Sequence, residues 1–354
     1  NECVACSEHA HCPESACHLD GPDVGRCFDV GEVEMIADGT ALVNAFDNVP
    51  DGGDRVLMLT GGIDDYTGVS VDFTTNAEVA IIGDGTQILT GTSSGSFLQN
   101  GSDSIVYFGS VSIGGNLSGS GLACSGSSVW LDDSEVRNND SVGLTVSGGC
   151  AAHLRRSVVS NNNGTGATIS GSGTSIDLLN SMFSNNDGGG IEAAGATTQV
   201  VLKTSVIASN GNNSSLFGGL SLDGTDLQAV YTTIAGNDSS NPQMSIRCLG
   251  SVSGMVRNSI LVGEDPDSVG ECQELMLTNS GTDGGDEPSN TVVGAFDVSW
   301  FEDPAMGDFR LSDLGRETFE GIAMWQDGDP QTDIDGDPIS METPSFPGYD
   351  QPSR

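Results

Sequence analysis

Apolar residues recur along the middle of the chain in short alternating runs, and the whole pattern returns roughly every 23 to 27 residues. Each repeat holds three such runs, separated by glycine, asparagine and serine. Ser134 precedes Val136 by two places in one repeat, and Ser157 precedes Val159 in the next. A period of two predicts strands, and the small polar residues predict tight turns. Because one such repeat cannot bury its apolar face alone, the pattern predicts a solenoid with three strands per turn, an all-β parallel β-helix.

An asparagine column runs through the same repeats, five places after the small residue that aligns them. Its members are Asn116, Asn139, Asn162, Asn186, Asn210 and Asn237. Asparagine tolerates the left-handed turn conformation, and its amide can hydrogen-bond the next asparagine in a stack. Ordinary loop filler would not keep register over so many repeats. The column therefore predicts a buried structural ladder.

A different pattern precedes the repeats. Leu42, Ala45, Phe46 and Val49 form one helical face behind a predicted N-cap at Thr40, so we expect a helix at about 40–49. After it come a predicted strand at 55–59, a glycine-to-tyrosine turn at 61–66 and the motif VAIIGDG at 79–85.

This order of elements resembles the opening of secreted right-handed β-helix proteins of the pectate-lyase-like superfamily. The resemblance extends over about residues 38–262 and implies a right-handed β-helix plugged at its N-terminal end by the helix. The superfamily contains lyases, hydrolases, epimerases and non-enzymatic surface proteins. The resemblance therefore implies a fold and not an activity.

The sequence divides into three predicted parts. Residues 1–34 form a cysteine-rich module, residues 35–300 the β-helix with regular coils at about 105–262, and residues 301–354 a C-terminal tail. The stretches FEDPAMGDFRLSD and TDIDGDP resemble the tail of many secreted bacterial β-helix repeat proteins. Such a tail is expected to cover the open C-terminal end, where unpaired strands would promote aggregation.

The net charge of the chain limits which classes of molecule it can bind. The chain has 50 acidic and 11 basic residues, which gives a net charge of −39. Nucleic acid is excluded as a partner because its phosphates require Lys and Arg, and acidic polysaccharides are disfavoured unless a cation bridges them. No run of about 20 apolar residues predicts a transmembrane segment.

Nine cysteines indicate an oxidising compartment, so we expect an extracellular or cell-surface protein. Cys124 and Cys150 lie about one repeat apart, as do Cys248 and Cys272, and each pair is predicted to join neighbouring coils. The remaining cysteines are Cys3, Cys6, Cys12, Cys17 and Cys27. Export favours a small disulfide knot for them. The alternative is a zinc site built from Cys3 and Cys6 with His9 or Cys12.

Candidate chemistry concentrates on one outward-facing set of residues. One column contains Tyr107, Trp130, His153 and Asp177, and the neighbouring column contains Asp132, Arg155 and Lys203. Carbohydrate sites use aromatic rings for stacking, carboxylates and histidine for acid–base steps, and cations for sugar carboxylates. We therefore assign His153, Asp177, Asp132, Arg155 and Lys203 as candidate catalytic residues and Tyr107 and Trp130 as candidate glycan-binding residues. The alternative is an ordinary solvated sheet face, since no catalytic motif of the superfamily is matched.

Two further features suggest binding. Asp333, Asp335 and Asp337 alternate around a glycine like half of a calcium loop, and they predict either a structural Ca²⁺ site or a solvated acidic turn, with no other cofactor required. An outward column is largely apolar. Its members are Val158, Met182, Val206 and Ile260. This stripe predicts either a cover supplied by the chain itself or a surface for self-association or a partner.

Two functions follow from these patterns. The first is an exported, non-catalytic structural or adhesive protein of a bacterial cell surface or extracellular assembly. The second is a carbohydrate-active enzyme, a polysaccharide lyase or glycoside hydrolase, that uses the face around His153. Aromatic residues make up only 5% of the chain and the regular coils have few long loops, which favours the first function.

Overall fold

The computed structural model of the protein describes residues 6–12, 14–92, 95–101, 103–115, 118–212, 214–240, 244–263, 269, 272, 274–284, 289–341 and 344–351. The repeats wind into about ten coils, each strand pairing in parallel with its counterpart in the next coil. This is the predicted parallel β-helix, and its strands form three long sheets that we name A, B and C.

Sheet A has 11 strands and supplies the face that concerns function. In order along the stack its strands are Val33–Ile36, Asp54–Leu59, Glu78–Ile82, Ile105–Gly109, Ser128–Asp132, Ala151–Arg155, Ser175–Leu179, Gln199–Lys203, Asp226–Val230, Ser253–Arg257 and Glu274–Thr278. The first strand lies at the edge of the sheet, so the predicted boundary at residues 34 and 35 falls inside a strand and is wrong.

Sheets B and C complete each coil. Sheet B contains Ile88–Leu89, Ser112–Gly114, Glu135–Arg137, Val158–Ser160, Met182–Ser184, Val206–Ala208, Thr233–Ala235, Ile260–Val262, Gly281–Thr282 and Thr291–Val292. Sheet C contains Val71–Phe73, Leu98–Gly101, Leu122–Ser125, Leu144–Ser147, Ala167–Ser170, Ile191–Ala194, Leu220–Asp223 and Ile246–Leu249. Alternate residues of all three sheets, such as Val129, Leu131 and Val136, point inward and build one continuous apolar core.

The asparagine column forms the predicted ladder. The Nδ2 of Asn139 donates to Asn162 Oδ1 at 2.8 Å, and the same contact links Asn162 to Asn186 at 2.8 Å. The ladder continues through Asn210 to Asn237. Asn116 lies outside the described residues. The left-handed turn, however, is made by the preceding residue of each coil, for example Asn161 with φ 55°.

A helix, α1 (Gly39–Asp47), packs on the first coils and buries Leu42, Ala45 and Phe46. The predicted helical face is confirmed for these three residues, but Val49 lies beyond the end of the helix. The N-cap is Asp38 and not Thr40. The Asp38 side chain accepts a hydrogen bond from Ala41 N at 2.8 Å and so satisfies a free amide of the first turn.

Two segments outside the coils complete the molecule. The N-terminal module (residues 6–28), with a 3-10 turn at His9–His11, lies on the outer face of sheet A, and a second 3-10 turn at Val30–Glu32 leads into the first strand. The C-terminal segment (residues 293–351) contains 3-10 turns at Val298–Trp300 and Pro304–Met306, the antiparallel strands Phe301–Asp303 and Asp308–Leu311, and a helix, α2 (Asp313–Phe319). It packs on the outer face of sheet B.

Candidate functional site

The strand register of sheet A brings part of the predicted site together. Trp130, His153 and Asp177 occupy the same position on three successive strands. Their neighbours Leu131 and Leu154 point into the core, so the side chains of the column point outward. The prediction that these residues share one outer face is confirmed by this register.

His153 is held between an aromatic ring and a carboxylate. Its imidazole stacks on Trp130 with 4.1 Å between the ring centroids and 23° between the planes. Its Nδ1 lies 3.0 Å from Asp177 Oδ2, and its side chain is 21% exposed. Among the residues that the structure describes, Nε2 has no hydrogen-bond partner. A carboxylate that fixes one ring nitrogen while the other stays free is an arrangement able to move a proton.

Asp132 is the shared anion of two arginines. Its Oδ2 lies 2.8 Å from Arg155 Nη2, and its Oδ1 accepts a hydrogen bond from Arg156 Nη2 at 2.6 Å. Burial raises the pKa of Asp132, while the two guanidinium groups oppose that rise. Each carboxylate oxygen is engaged by one guanidinium group, so Asp132 links Arg155 to Arg156, and its acid–base role stays a prediction.

Arg155 lies against Trp130, and Lys203 lies further along the same sheet. The guanidinium carbon of Arg155 lies 5.7 Å from the centroid of the Trp130 ring, within cation–π distance. Lys203 lies two strands further along the same register row, roughly 10 Å away at the spacing of paired strands. Lys203 thus lies on the predicted outward column, and its role in the site stays a prediction.

Tyr107 is buried beneath the N-terminal module. Its hydroxyl donates to Glu78 Oε2 at 3.1 Å, and its ring makes edge contacts with His9 and Phe28 of the module. Burial, reinforced by the charge of Glu78, raises the pKa of Tyr107. Because the side chain is 0% exposed, the prediction that Tyr107 stacks on a glycan is wrong.

The module also reaches Trp130. Asp20 Oδ2 accepts hydrogen bonds from Ser128 Oγ at 2.9 Å and from Trp130 Nε1 at 3.3 Å. Burial opposes ionisation of Asp20, but these bonds and one from Gly21 N outweigh it and lower the pKa of Asp20. Arg155 Nη1 donates to Ser7 O at 2.5 Å. The cover is therefore fixed by polar contacts at the edge of the candidate site.

The sequence did not reveal the residues of this cover. Asp20 and His18 lie in a module without periodicity. Glu78, whose Oε2 lies 2.6 Å from His18 Nδ1, lies in an irregular early coil. The one available signal was the outward position of Tyr107 and Trp130, because large aromatic rings on an outer face require a cover or a ligand.

Comparison with known proteins agrees with the geometry. Residues 120–265 match a family model described as a right handed beta helix region. The protein is a right-handed β-helix. Among solved structures, it is similar to the crystal structure of pectate lyase Pel9A, with 13% sequence identity, a TM-score of 0.45, and coverage of 88% of this chain and 90% of that chain. No curated protein matches the sequence.

Disulfides cross-link the β-helix as predicted. Cys124–Cys150 and Cys248–Cys272 are bonded, each pair joining neighbouring coils. In the N-terminal module the bonds are Cys6–Cys17 and Cys12–Cys27, and Cys3 lies outside the described residues. Cys6, Cys12 and Cys27 gather closely, but as disulfide sulfurs they are not thiolate ligands. The zinc alternative is therefore wrong for Cys6 and Cys12.

The predicted calcium residues form a turn instead of a ligand cluster. Asp333 is buried, and its Oδ1 accepts hydrogen bonds from the amides of Asp335 and Asp337 at 3.0 and 2.8 Å. Its Oδ2 accepts one from Gln351 N at 2.8 Å. Within the described part of the chain, the three carboxylates do not converge on a common point. Asp333 thus organises the backbone of the C-terminal segment.

The apolar stripe on sheet B is covered by the C-terminal segment. Val206 and Ile260 are 0% and 1% exposed and pack with Trp300, Phe301 and Tyr349. Met182 packs at the margin of this cluster, and Val158 stays half-buried. The partner surface predicted at Val206 and Ile260 is therefore wrong. The segment lies along the outer face of sheet B and reaches its last strands, where Val293 N donates to Thr282 O at 2.8 Å. That the tail covers the open C-terminal end stays a prediction. No helix in the described ranges is long and apolar enough to cross a membrane.

Proposed function

We propose that the protein is an exported, non-catalytic structural or adhesive component of a bacterial cell surface or extracellular assembly. The observation that carries this proposal is the N-terminal module. It occupies the outer face of sheet A beside the candidate site, buries Tyr107 and engages the indole N–H of Trp130. A glycan would need that aromatic surface for stacking, and the chain has filled it with its own residues.

The rest of the molecule supports a mechanical role. Disulfides between coils and a buried asparagine ladder stiffen the stack. Four disulfides among the described residues support an oxidising compartment. The net charge of −39 favours solubility at high concentration and repels other acidic surfaces.

A carbohydrate-active enzyme is the second candidate, and the contact between His153 and Asp177 favours it. In a polysaccharide lyase or glycoside hydrolase of this design, His153 would act as the base, oriented by Asp177, and Arg155 would neutralise a substrate carboxylate. The net charge would require a neutral substrate, or an acidic one bridged by a cation such as Ca²⁺.

A screen for soluble products separates the two functions. The full chain is incubated with neutral polysaccharides and with uronate polymers in the presence of Ca²⁺, beside His153→Ala and the matched control Gln228→Ala. Gln228 projects from the same sheet A column two strands beyond Asp177, so its loss changes the face but not the candidate chemistry. We expect no product from any of the three proteins. Product formed by the wild type and by Gln228→Ala but not by His153→Ala would establish the enzyme.

A further inference from the structure

The N-terminal module is built as an independent unit. Its disulfides, Cys6–Cys17 and Cys12–Cys27, both close within it, and no described disulfide ties it to the coils. It continues into sheet A through residues 29–32 and the strand Val33–Ile36. Neither cross-link therefore depends on the contact between the module and sheet A.

The surface beneath the module is apolar and aromatic. The buried side chains of Cys6, Leu19 and Phe28 pack in one cluster with Val56, Ala80 and Tyr107 of sheet A. These sheet residues point outward from the β-helix and not into its core. Removal of the module would therefore expose a continuous apolar and aromatic strip of sheet A that extends to Trp130.

His9 lies in this interface, and its surroundings fit the neutral form of the imidazole. It is 8% exposed, and its Nδ1 accepts a hydrogen bond from Cys17 N at 3.1 Å. The proton of the neutral ring is therefore on Nε2, which is buried and has no partner among the described residues. The ring lies so close to Gly109 that a Cβ there would be 3.0 Å from His9 Cδ2. The ring is therefore packed directly against the backbone of Gly109.

Charged groups surround His9 from each element that packs near it. They are Arg155 and Arg156 at the end of the strand Ala151–Arg155, Asp132 and Asp133 in the preceding coil, and Glu8 and His11 within the module. Both arginines are already paired with carboxylates, Arg156 with Asp133 at 2.8 Å and Arg155 with Asp132. A protonated His9 would be a third cation here, and each of the carboxylates named above is already shared with another cation.

We propose that the N-terminal module is an acid-released cover, in which protonation of His9 detaches the module from sheet A and exposes the surface of Tyr107 and Trp130. The module stays folded through its disulfides and tethered through residues 29–32.

Linkage gives the direction and range of the effect. Burial, followed by the charge of Arg155, lowers the pKa of His9 to about 4, whereas an exposed imidazole has a pKa of 6.5. Between these values the detached module binds a proton that the docked module does not. The ratio of detached to docked protein therefore rises by about tenfold for each pH unit as the pH falls from 6.5 to 4.

The test is radical footprinting of the full chain at about pH 7 and about pH 4.5, read at Tyr107 and Trp130. We expect labelling of Tyr107 to rise at least tenfold on acidification, while Tyr66, which is buried at the capped end of the β-helix, stays protected. His9→Gln, which cannot gain a charge, should remove the rise. His11→Gln, an exposed histidine of the same module, should keep it.

Two results would overturn the proposal. One is a Tyr107 that stays unlabelled in the wild type at the lower pH. The other is an undiminished rise in His9→Gln, which would assign the release to carboxylates such as Asp132. If His9→Gln already exposes Tyr107 at neutral pH, an NMR titration of wild-type His9 decides. Its protonation must follow the same curve as Tyr107 labelling, and separate curves would reject the proposal.

Discussion

Each ladder asparagine makes several buried hydrogen bonds at once. Asn186 Oδ1 accepts from the backbone N–H and the Nδ2 of Asn162, at 3.3 and 2.8 Å. Asn186 Nδ2 donates in turn to Val159 O at 3.0 Å and to Asn210 Oδ1 at 2.8 Å. The residue is 0% exposed, so water cannot replace a lost partner. Removal of one rung leaves donors and acceptors unpaired in both neighbouring coils.

Asn186→Ala should therefore lower the free energy of unfolding by on the order of 1–3 kcal/mol, the cost of buried polar groups left without partners. Asn163→Ala is the matched control, because Asn163 is exposed and its side-chain amide donates to the exposed Asp140. The midpoints of chemical denaturation give the comparison. Equal midpoints for the two variants would mean that the ladder does not support the stack.

The ladder could be predicted at the residue scale because its members share one spacing. The turn conformation could not be assigned correctly, since asparagine occurs both in the ladder and immediately before it. Asn161 and Asn185 precede ladder residues and take the left-handed conformation, with φ of 55°. Asparagine is suited to both positions, by its amide in one and by its backbone in the other.

The C-terminal segment is attached to the β-helix through a buried ion pair. Asp329 and Arg257 form a salt bridge in which their side chains are 0% and 10% exposed. Asp329 Oδ2 also accepts from Asn258 Nδ2 at 3.1 Å and from Gln326 N at 2.9 Å. Tyr231 and Val230 pack beside this contact against Ala323 and Ile339 of the segment, and so connect the charge pair to an apolar cluster.

Asp329→Ala should detach this part of the segment, because it leaves the Arg257 charge buried without a partner, at a cost of about 3–5 kcal/mol. Asp327→Ala removes an exposed carboxylate two residues away and should change nothing. Limited proteolysis would show rapid cleavage after residue 320 in Asp329→Ala alone. Equal cleavage of both variants would show that the apolar cluster holds the segment without the ion pair.

At the element scale, the sequence identified the tail but not where it docks. The apolar residues Val206 and Ile260 showed that sheet B needed a cover, and the tail supplied it. The expectation of an end cap came from resemblance alone. Asp329 and Asp333 looked alike as acidic tail residues, yet one pairs with Arg257 and the other caps backbone amides. Only the three-dimensional path of the tail distinguishes such roles.

For the molecule as a whole, the fold could be predicted and the use of its surface could not. Every coil repeats the same pattern of inward and outward positions, so each repeat of the sequence independently predicts the same architecture. The candidate face depends on one contact between a cysteine-rich module and sheet A, made by residues such as Asp20 that have no counterpart elsewhere. Because this contact between the module and sheet A occurs once, it produces no repeating pattern in the sequence.

We propose that the face around Trp130 is occupied by the chain itself and does not bind glycans. An NMR titration of the full chain at neutral pH, with neutral oligosaccharides and with Ca²⁺-bridged uronate oligosaccharides, tests this proposal. The signals followed are the Trp130 indole N–H, which is bonded to Asp20, and the ring of His153 stacked against it. We expect both signals to stay unmoved. Saturable shifts of both signals in the wild type, with the His153 shift abolished in Trp130→Ala, would contradict this proposal.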